Sequence, residues 1–378
     1  MVSPYLKNKG SAVRFCLWPQ FLAKVIVVKK IILNPNKKNI FINFLTATFA
    51  YLVGIIYNRG ITLELHSEGI VYNNQAQELF ISGLINPYPQ RILAPFLGSL
   101  LNITTQQLNL TFILLFLLLF NFYLNQISIL TRLILSVAFA TTMPVIFSMN
   151  FGGYPDIVSY TIFILILFFI DKDYLPFILF LLLLLTREAY LIYLPFFIIY
   201  KSYKSKQNYI INAVGFVIPT IIYFLYYLLA FKLASTTPGD VWDYSFYIQP
   251  LSSNIFYWIE SYKLNYFVGI FSTSKFLIIL ILIVFIKLSA KQKAIYLIFI
   301  FLTLSTSLVC GDLSRCFSPL IFSLLLFPEK LKFKNFNIIV FILFCFNLVS
   351  PKYYVWHGGK LNYLNDSRLH FLDIFKLF

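Results

Sequence analysis

Apolar residues in this chain come in long blocks, with polar residues gathered in the gaps between them. The blocks Asn39 to Tyr57 and Tyr209 to Phe231 are typical. A helix needs roughly 20 mostly apolar residues to cross the hydrocarbon of a bilayer, so each such block predicts a transmembrane helix. Barrel strands would alternate in short segments, and a run such as ILFLLLLL does not alternate.

The blocks predict spans near 39–57, 109–125, 130–148, 157–170, 174–186, 188–200, 209–231, 266–286, 293–310, 315–328 and 336–350. The expected architecture is therefore all-α, a polytopic integral membrane protein of about 11 transmembrane helices, with a range of about 9–13. The pair 174–186 and 188–200 is split by Thr186-Arg187-Glu188, and each half is too short to cross the hydrocarbon upright. These two are either spans of a thin membrane or a broken hairpin lining a cavity. Lys275 interrupts the start of 266–286, and residues 250–265 are an alternative interfacial helix.

The gaps are of two kinds. One kind is short and basic: Lys201, Lys204 and Lys206; Lys287, Lys291 and Lys293; Lys330, Lys332 and Lys334. By the positive-inside rule these gaps, the basic segment 1–38, Arg132 and Lys172 are cytoplasmic, which places nineteen of the thirty Lys and Arg inside. The other kind is long and mixed. It comprises loops 58–108 and 232–265 and the tail 351–378, all extracytoplasmic on this map, with 39–350 forming the transmembrane domain. The expected location is multi-pass in the cell (inner or plasma) membrane, with the active face outside.

Composition sharpens this picture at two points. A formal charge of +16 raises the question of nucleic acid, but the basic residues lie in clusters between apolar runs rather than on one folded face, so no nucleic-acid partner is expected. Cys16, Cys310, Cys316 and Cys345 form no CxxC pair and the three His are scattered, which argues against a structural zinc site. A Cys310–Cys316 disulfide is sterically feasible on an oxidising face. No cleaved signal peptide is read before Asn39.

Charged residues at membrane depth cost about 2.5–3.5 kcal/mol each on insertion scales, so each needs a reason. The candidates all fall at the outer face: Glu64, Glu68 and Arg91, then Asp156, then Arg187 and Glu188, then Asp312 and Arg315. Glu64 and Glu68 are one helical turn apart and could act as general base, hold a divalent cation such as Mg or Mn, or sit in water. Arg91 follows Pro87 and Pro89 and opens an apolar run, either snorkelling to the interface or gripping a phosphate or carboxylate with its planar fork. Arg187 and Glu188 are adjacent, so they face away from each other on a helix and would pair with other segments. For Asp312 and Arg315 a mutual i,i+3 ion pair is the simple reading. For Asp156, after Gly-Gly-Tyr-Pro, it is an N-cap. The loop 232–265 mixes Asp240, Asp243 and Glu260 with aromatic residues, which fits either an interfacial belt or sugar stacking.

Glu68-Gly-Ile-Val-Tyr72-Asn-Asn-Gln-Ala76 has the spacing acid, three residues, Tyr, three residues, Ala, right after the first span. This resembles the first extracytoplasmic loop of GT-C-type membrane glycosyltransferases, and PYPQRILAP, TREAYLIYLP and GDLSRCFSP look similar to segments of bacterial relatives in that superfamily. The family usually carries Asp at the loop acid, where this chain has Glu68. The resemblance implies a transferase that moves a sugar from a polyprenyl-phosphate donor to a glycan, lipid or protein acceptor at the outer leaflet. It further implies that Glu68, with Glu64, deprotonates the acceptor or positions a metal, that Arg91, Arg187 and Arg315 neutralise the lipid phosphate, and that Tyr72, Glu188, Asp312 and Asp156 complete the substrate site. Two other readings stand beside it: an O-antigen-type polymerase or ligase, which relies on arginines, and a lipid or glycan flippase.

Overall fold

The computed structural model describes residues 37–58, 61, 65, 67–81, 90–151, 153–234, 267–306, 313–333, 335–350, 353–355 and 361–363. The chain divides into two units, residues 1–45 and 46–378. Of the first, the described part is the beginning of helix α1 (Lys37–Asn58). The second carries everything that follows.

Its helices are α2 (Ser67–Gln77), α3 (Leu93–Leu101), α4 (Thr105–Tyr123), α5 (Ile129–Ala140), α6 (Met143–Asn150), α7 (Asp156–Phe168) and α8 (Leu175–Thr186). A 3-10 turn over Glu188–Tyr193 leads into α9 (Leu194–Ser205), then α10 (Tyr209–Leu233), α11 (Phe267–Ser274), α12 (Leu277–Ile286) and α13 (Ala290–Ser305). The short helix α14 (Leu313–Phe317) continues through a 3-10 turn into α15 (Ser323–Leu326), and α16 (Phe336–Val349) follows. Tyr353–Val355 and Leu361–Tyr363 add a small antiparallel ladder, Tyr354 opposite Asn362, in the tail where the sequence predicts no element.

The helices begin where the chain satisfies their free N–H groups. The Thr104 hydroxyl accepts from Gln107 N at 3.2 Å while the Gln107 side chain accepts from Thr104 N at 2.9 Å, a reciprocal cap for α4. Ser289 and Gln292 repeat the device at α13. Proline in the first turn, which needs no N–H there, opens α6, α8 and α9.

Among the described residues, three helices are long and apolar enough to cross a membrane: Asn39–Asn58, Thr105–Tyr123 and Tyr209–Leu233. The number rises to five if each bent pair is one span, α5 with α6 at 49° and α11 with α12 at 93°. The remaining apolar blocks form short helices of 10–17 residues, among them α7, α8 and α16. The all-helical architecture is as the sequence predicts, but only three to five of the eleven expected spans are helices long enough to cross among the described residues, and several blocks are broken. Thr141, Thr142 and Pro144 bend 130–148, and Lys275, with a left-handed φ of 47°, turns 266–286 through the sharp corner.

Helix α7 lies at the centre, and every residue from Asp156 to Ile164 is buried. Phe163 stacks on Phe322 at 4.9 Å and meets Phe197 at 5.1 Å and Tyr193 at 5.6 Å, which ties α7 to α9 and to the segment after α14.

Within this unit the helix ends gather at two poles. At one, Lys201 Nζ donates to the carbonyls of Ile170 and Lys172 beyond the end of α7, Lys204 lies over Phe327, Lys291 over Tyr203 and Lys287 over Phe333. The three basic gaps of the sequence are therefore neighbours in space. At the other pole, Asn150 Nδ2 donates to Asn58 Oδ1 at 2.7 Å, Tyr57 donates to the carbonyl of Asn347 at 3.1 Å, and Thr306 donates to the carbonyl of Cys316 at 2.9 Å. Asp156, Arg187 and Arg315 lie at this second pole.

Candidate functional site

Arg91, Asp156, Arg187, Glu188 and Arg315 form two linked ion-pair groups. Arg187 sits where α8 ends, its backbone extended at φ −162° and ψ 115°, which lets residues 187 and 188 project to different partners. Glu188 opens the 3-10 turn and takes Arg91 in a bidentate grip, with Arg91 Nε donating to Oε2 at 2.8 Å and Nη2 to Oε1. Arg91 Nη1 also donates to the Tyr72 hydroxyl at 3.2 Å, which brings α2 into the group.

Asp156 is held from two sides. Arg187 Nη1 donates to Oδ1, and Arg315 donates to Oδ2 through Nε at 3.0 Å and through Nη2 at 2.9 Å. The Arg315 guanidinium also lies 4.6 Å from the Tyr154 ring centroid and 5.3 Å from that of Phe147. A guanidinium paired on its edge and covered on its face is held in one orientation. Its neighbours Tyr72, Tyr154, Tyr160 and Tyr193 are fully buried around the group.

The turn before Asp156 is built for close approach. Gly153 has φ +89°, and a Cβ there would stand 2.5 Å from Gly69 Cα. Its N–H donates to Gln106 Oε1 at 2.9 Å, while Asn109 Nδ2 donates to Tyr154 O at 2.7 Å and Thr105 donates to Gly69 O. The backbone of α2 therefore packs directly on the turn that launches Asp156.

The candidate residues named from the sequence divide accordingly into those the fold unites and those whose side chains lie outside the described residues. Arg91, Asp156, Arg187, Glu188, Arg315 and Tyr72 are brought together from distant segments. Glu68 lies in the first turn of α2, and its side chain is outside the described residues, as are Glu64, Asp312, Cys310 and, beyond the end of α10, residues 235–265 of the loop 232–265. Two expectations are corrected. Asp156 is not an N-cap: Pro155 holds that position, and both Asp156 oxygens bind arginines. Arg315 is not confined to an i,i+3 pair with Asp312, since it reaches Asp156 across 159 positions. Of the two readings of Arg91, the fork on a carboxylate holds: Arg91 is buried and grips Glu188 rather than snorkelling. Arg187 and Glu188 do pair with other segments, as their adjacency implies.

Tyr154, Phe147 and Gly69 are participants that sequence reasoning missed. The Gly-Gly-Tyr-Pro string was the available signal, because a glycine at positive φ marks a backbone approach. Tyr223 on α10 is also a participant, buried within electrostatic range of Glu188 and Arg91.

A small cavity of about 20 Å³ adjoins this group, lined by Arg187, Arg315, Tyr190, Tyr193, Thr306 and Cys316. That is room for about one water molecule, so a larger ligand would need the lining side chains to move. The group sets three guanidiniums against two carboxylates among the described residues, and Arg187 and Arg315 are the two that line the cavity. Asp156 and Glu188 already give their oxygens to arginines and do not fit a divalent cation; the side chains of Glu64 and Glu68, the pair expected to hold one, lie outside the described residues. No protein-family model, curated protein or solved structure matches this chain.

Proposed function

We propose that the chain is a membrane glycosyltransferase of the GT-C type, moving a sugar from a polyprenyl-phosphate donor to an acceptor hydroxyl at the extracytoplasmic face of the cell membrane. The observation that carries the reading is the convergence of Arg91, Arg187 and Arg315 at one pole of a helical membrane unit, with Arg187 and Arg315 lining a small cavity there. In this reading the apolar segments make eleven crossings. Each runs between the lysine pole inside and the arginine pole outside, and the short helices cross as members of broken spans.

The step is a displacement at the anomeric carbon. The acceptor oxygen forms a bond to that carbon while its bond to the lipid phosphate oxygen breaks, and the acceptor proton passes to Glu68. The departing phosphate gains negative charge, which Arg187 and Arg315 stabilise from the pocket edge. Asp156 keeps both guanidiniums aimed there, and Glu188 does the same for Arg91. The apolar faces of the helices receive the isoprenoid.

The test is transfer of a labelled sugar from lipid-linked donor in membranes carrying the full chain. Arg315→Lys keeps the charge but loses the fork, and the expected result is a fall of roughly 100-fold or more for it and for Glu68→Gln. Wild-type transfer by Glu68→Gln together with a dead Arg315→Lys moves the assignment to a polymerase or ligase of the O-antigen type. The arginine-rich makeup of the group is the observation that favours this second reading. Movement of lipid across vesicles with no covalent product assigns a flippase instead.

A further inference from the structure

The lysine pole holds a second site, independent of the transfer reaction. Four exposed or half-buried lysines there lie on aromatic rings: Lys287 at 4.0 Å from Phe333, Lys204 at 5.3 Å from Phe327, Lys291 at 5.5 Å from Tyr203 and Lys293 at 5.6 Å from Phe285. A lysine whose ammonium lies over a ring face is held in place there by the ring's negative face, with its stem on apolar surface. Asp171, Asp173 and Glu329 are the acids at this pole, against Lys172, Lys201, Lys204, Lys206, Lys287, Lys291, Lys293, Lys330 and Lys332. The charge excess is strongly positive.

Beside Lys287 lies a roomy open pocket of about 800 Å³, between residues 126–131 and 331–338. Gln126, Ser128, Thr131, Lys332, Asn335 and Asn337 line it. Thr131 hydrogen-bonds Asn337 and ties the two walls, and Asn335 turns the chain with a left-handed φ of 62°. Ile338, which lines the pocket, is 59% exposed, and on α12, which packs on α16, Ile286 is 71% and Leu282 56% exposed. Cationic and polar groups above an open apolar face define an amphiphile, a negative head with hydrocarbon tails.

We propose that this pocket is a headgroup site for an anionic phospholipid of the cytoplasmic leaflet, with its phosphate at Lys332 and Lys287 and its acyl chains along Ile338, Ile286 and Leu282. Serine, threonine and asparagine side chains hydrogen-bond the glycerol and headgroup hydroxyls. A free phosphate would gain nothing from the apolar face, so the lipid is the occupant the surface fits.

The experiment is native mass spectrometry of the full chain, released from detergent with phosphatidylglycerol or phosphatidylcholine added at equal concentration. The wild type is expected to retain phosphatidylglycerol in preference. Each of Lys332→Gln and Lys287→Gln should lower that retention about fivefold, since a basic residue near anionic lipid is worth about 1 kcal/mol. Lys206→Gln, at the same pole but away from the pocket, should leave it unchanged. Should a pocket variant fail to fold, raising salt on the wild type is the second measurement, and it should remove phosphatidylglycerol but not phosphatidylcholine. Equal retention of both lipids, salt-insensitive retention, or an equal loss in Lys206→Gln overturns the site.

Discussion

Arg91 and Glu188 stand 97 positions apart and meet through a two-point grip, with Tyr72 on the remaining face of the guanidinium. That contact joins the segment after the polar first loop to the break between α8 and α9. It makes the loop part of the same structure as the helices behind it. Glu188 is the more accessible partner, its side chain 30% exposed against 10% for Arg91.

The pair should therefore behave as a unit. Arg91→Ala and Glu188→Ala are each expected to destabilise, and the double variant should lose less than their sum by about 1–3 kcal/mol, as for residues in one network. Unfolding in detergent with all four proteins measures it. Simple additivity would mean the contact is not formed.

Asp156 has a larger role, because it neutralises two arginines at once in a buried place. Asp156→Asn leaves both without a counter-charge, and breaking a buried pair costs about 3–5 kcal/mol. Little folded protein should be recovered, and Arg187→Met in the same chain should restore part of it. Thermal stability of the single and double variants is the check.

Gly153→Ala adds one methyl group where Gly69 Cα leaves no room, and at a φ that side chains avoid. The expected result is displacement of α2 from the turn. Backbone amides over 69–77 should exchange with deuterium faster than in wild type, while those of α13 should not change.

Lys201→Met removes the ammonium that donates to the carbonyls of Ile170 and Lys172. Methionine fills similar space but cannot donate, so the buried carbonyl of Ile170 and the half-buried one of Lys172 lose a partner, at a cost of about 1–3 kcal/mol. The melting temperature in detergent should fall accordingly, with the arginine group and any transfer activity retained.

Much of this arrangement was legible before the fold was known, because a charge in an apolar block is costly enough to require a partner. Arg91, Arg187 and Arg315 stood out for that reason, as did the one-sided placement of the lysine gaps. The partners themselves were not legible. Asp156 looks like an ordinary helix start, and only tertiary packing brings Arg315 to it from 159 positions away. Helix length was likewise hidden, since a run of apolar residues reads the same whether its backbone is continuous or bent at Lys275 or Thr142. The close approach of Gly153 to Gly69 is a property of two backbones, and glycine in a sequence tells only that such an approach is allowed.

The most direct measurement is a cryo-EM structure of the full chain with a polyprenyl phosphate added. The account predicts phosphate density within hydrogen-bonding reach of Arg187 and Arg315, with Glu68 facing the same cavity and the isoprenoid leading away along apolar helix faces. Lipid phosphate bound elsewhere, with Glu68 against an apolar wall, would contradict the transferase.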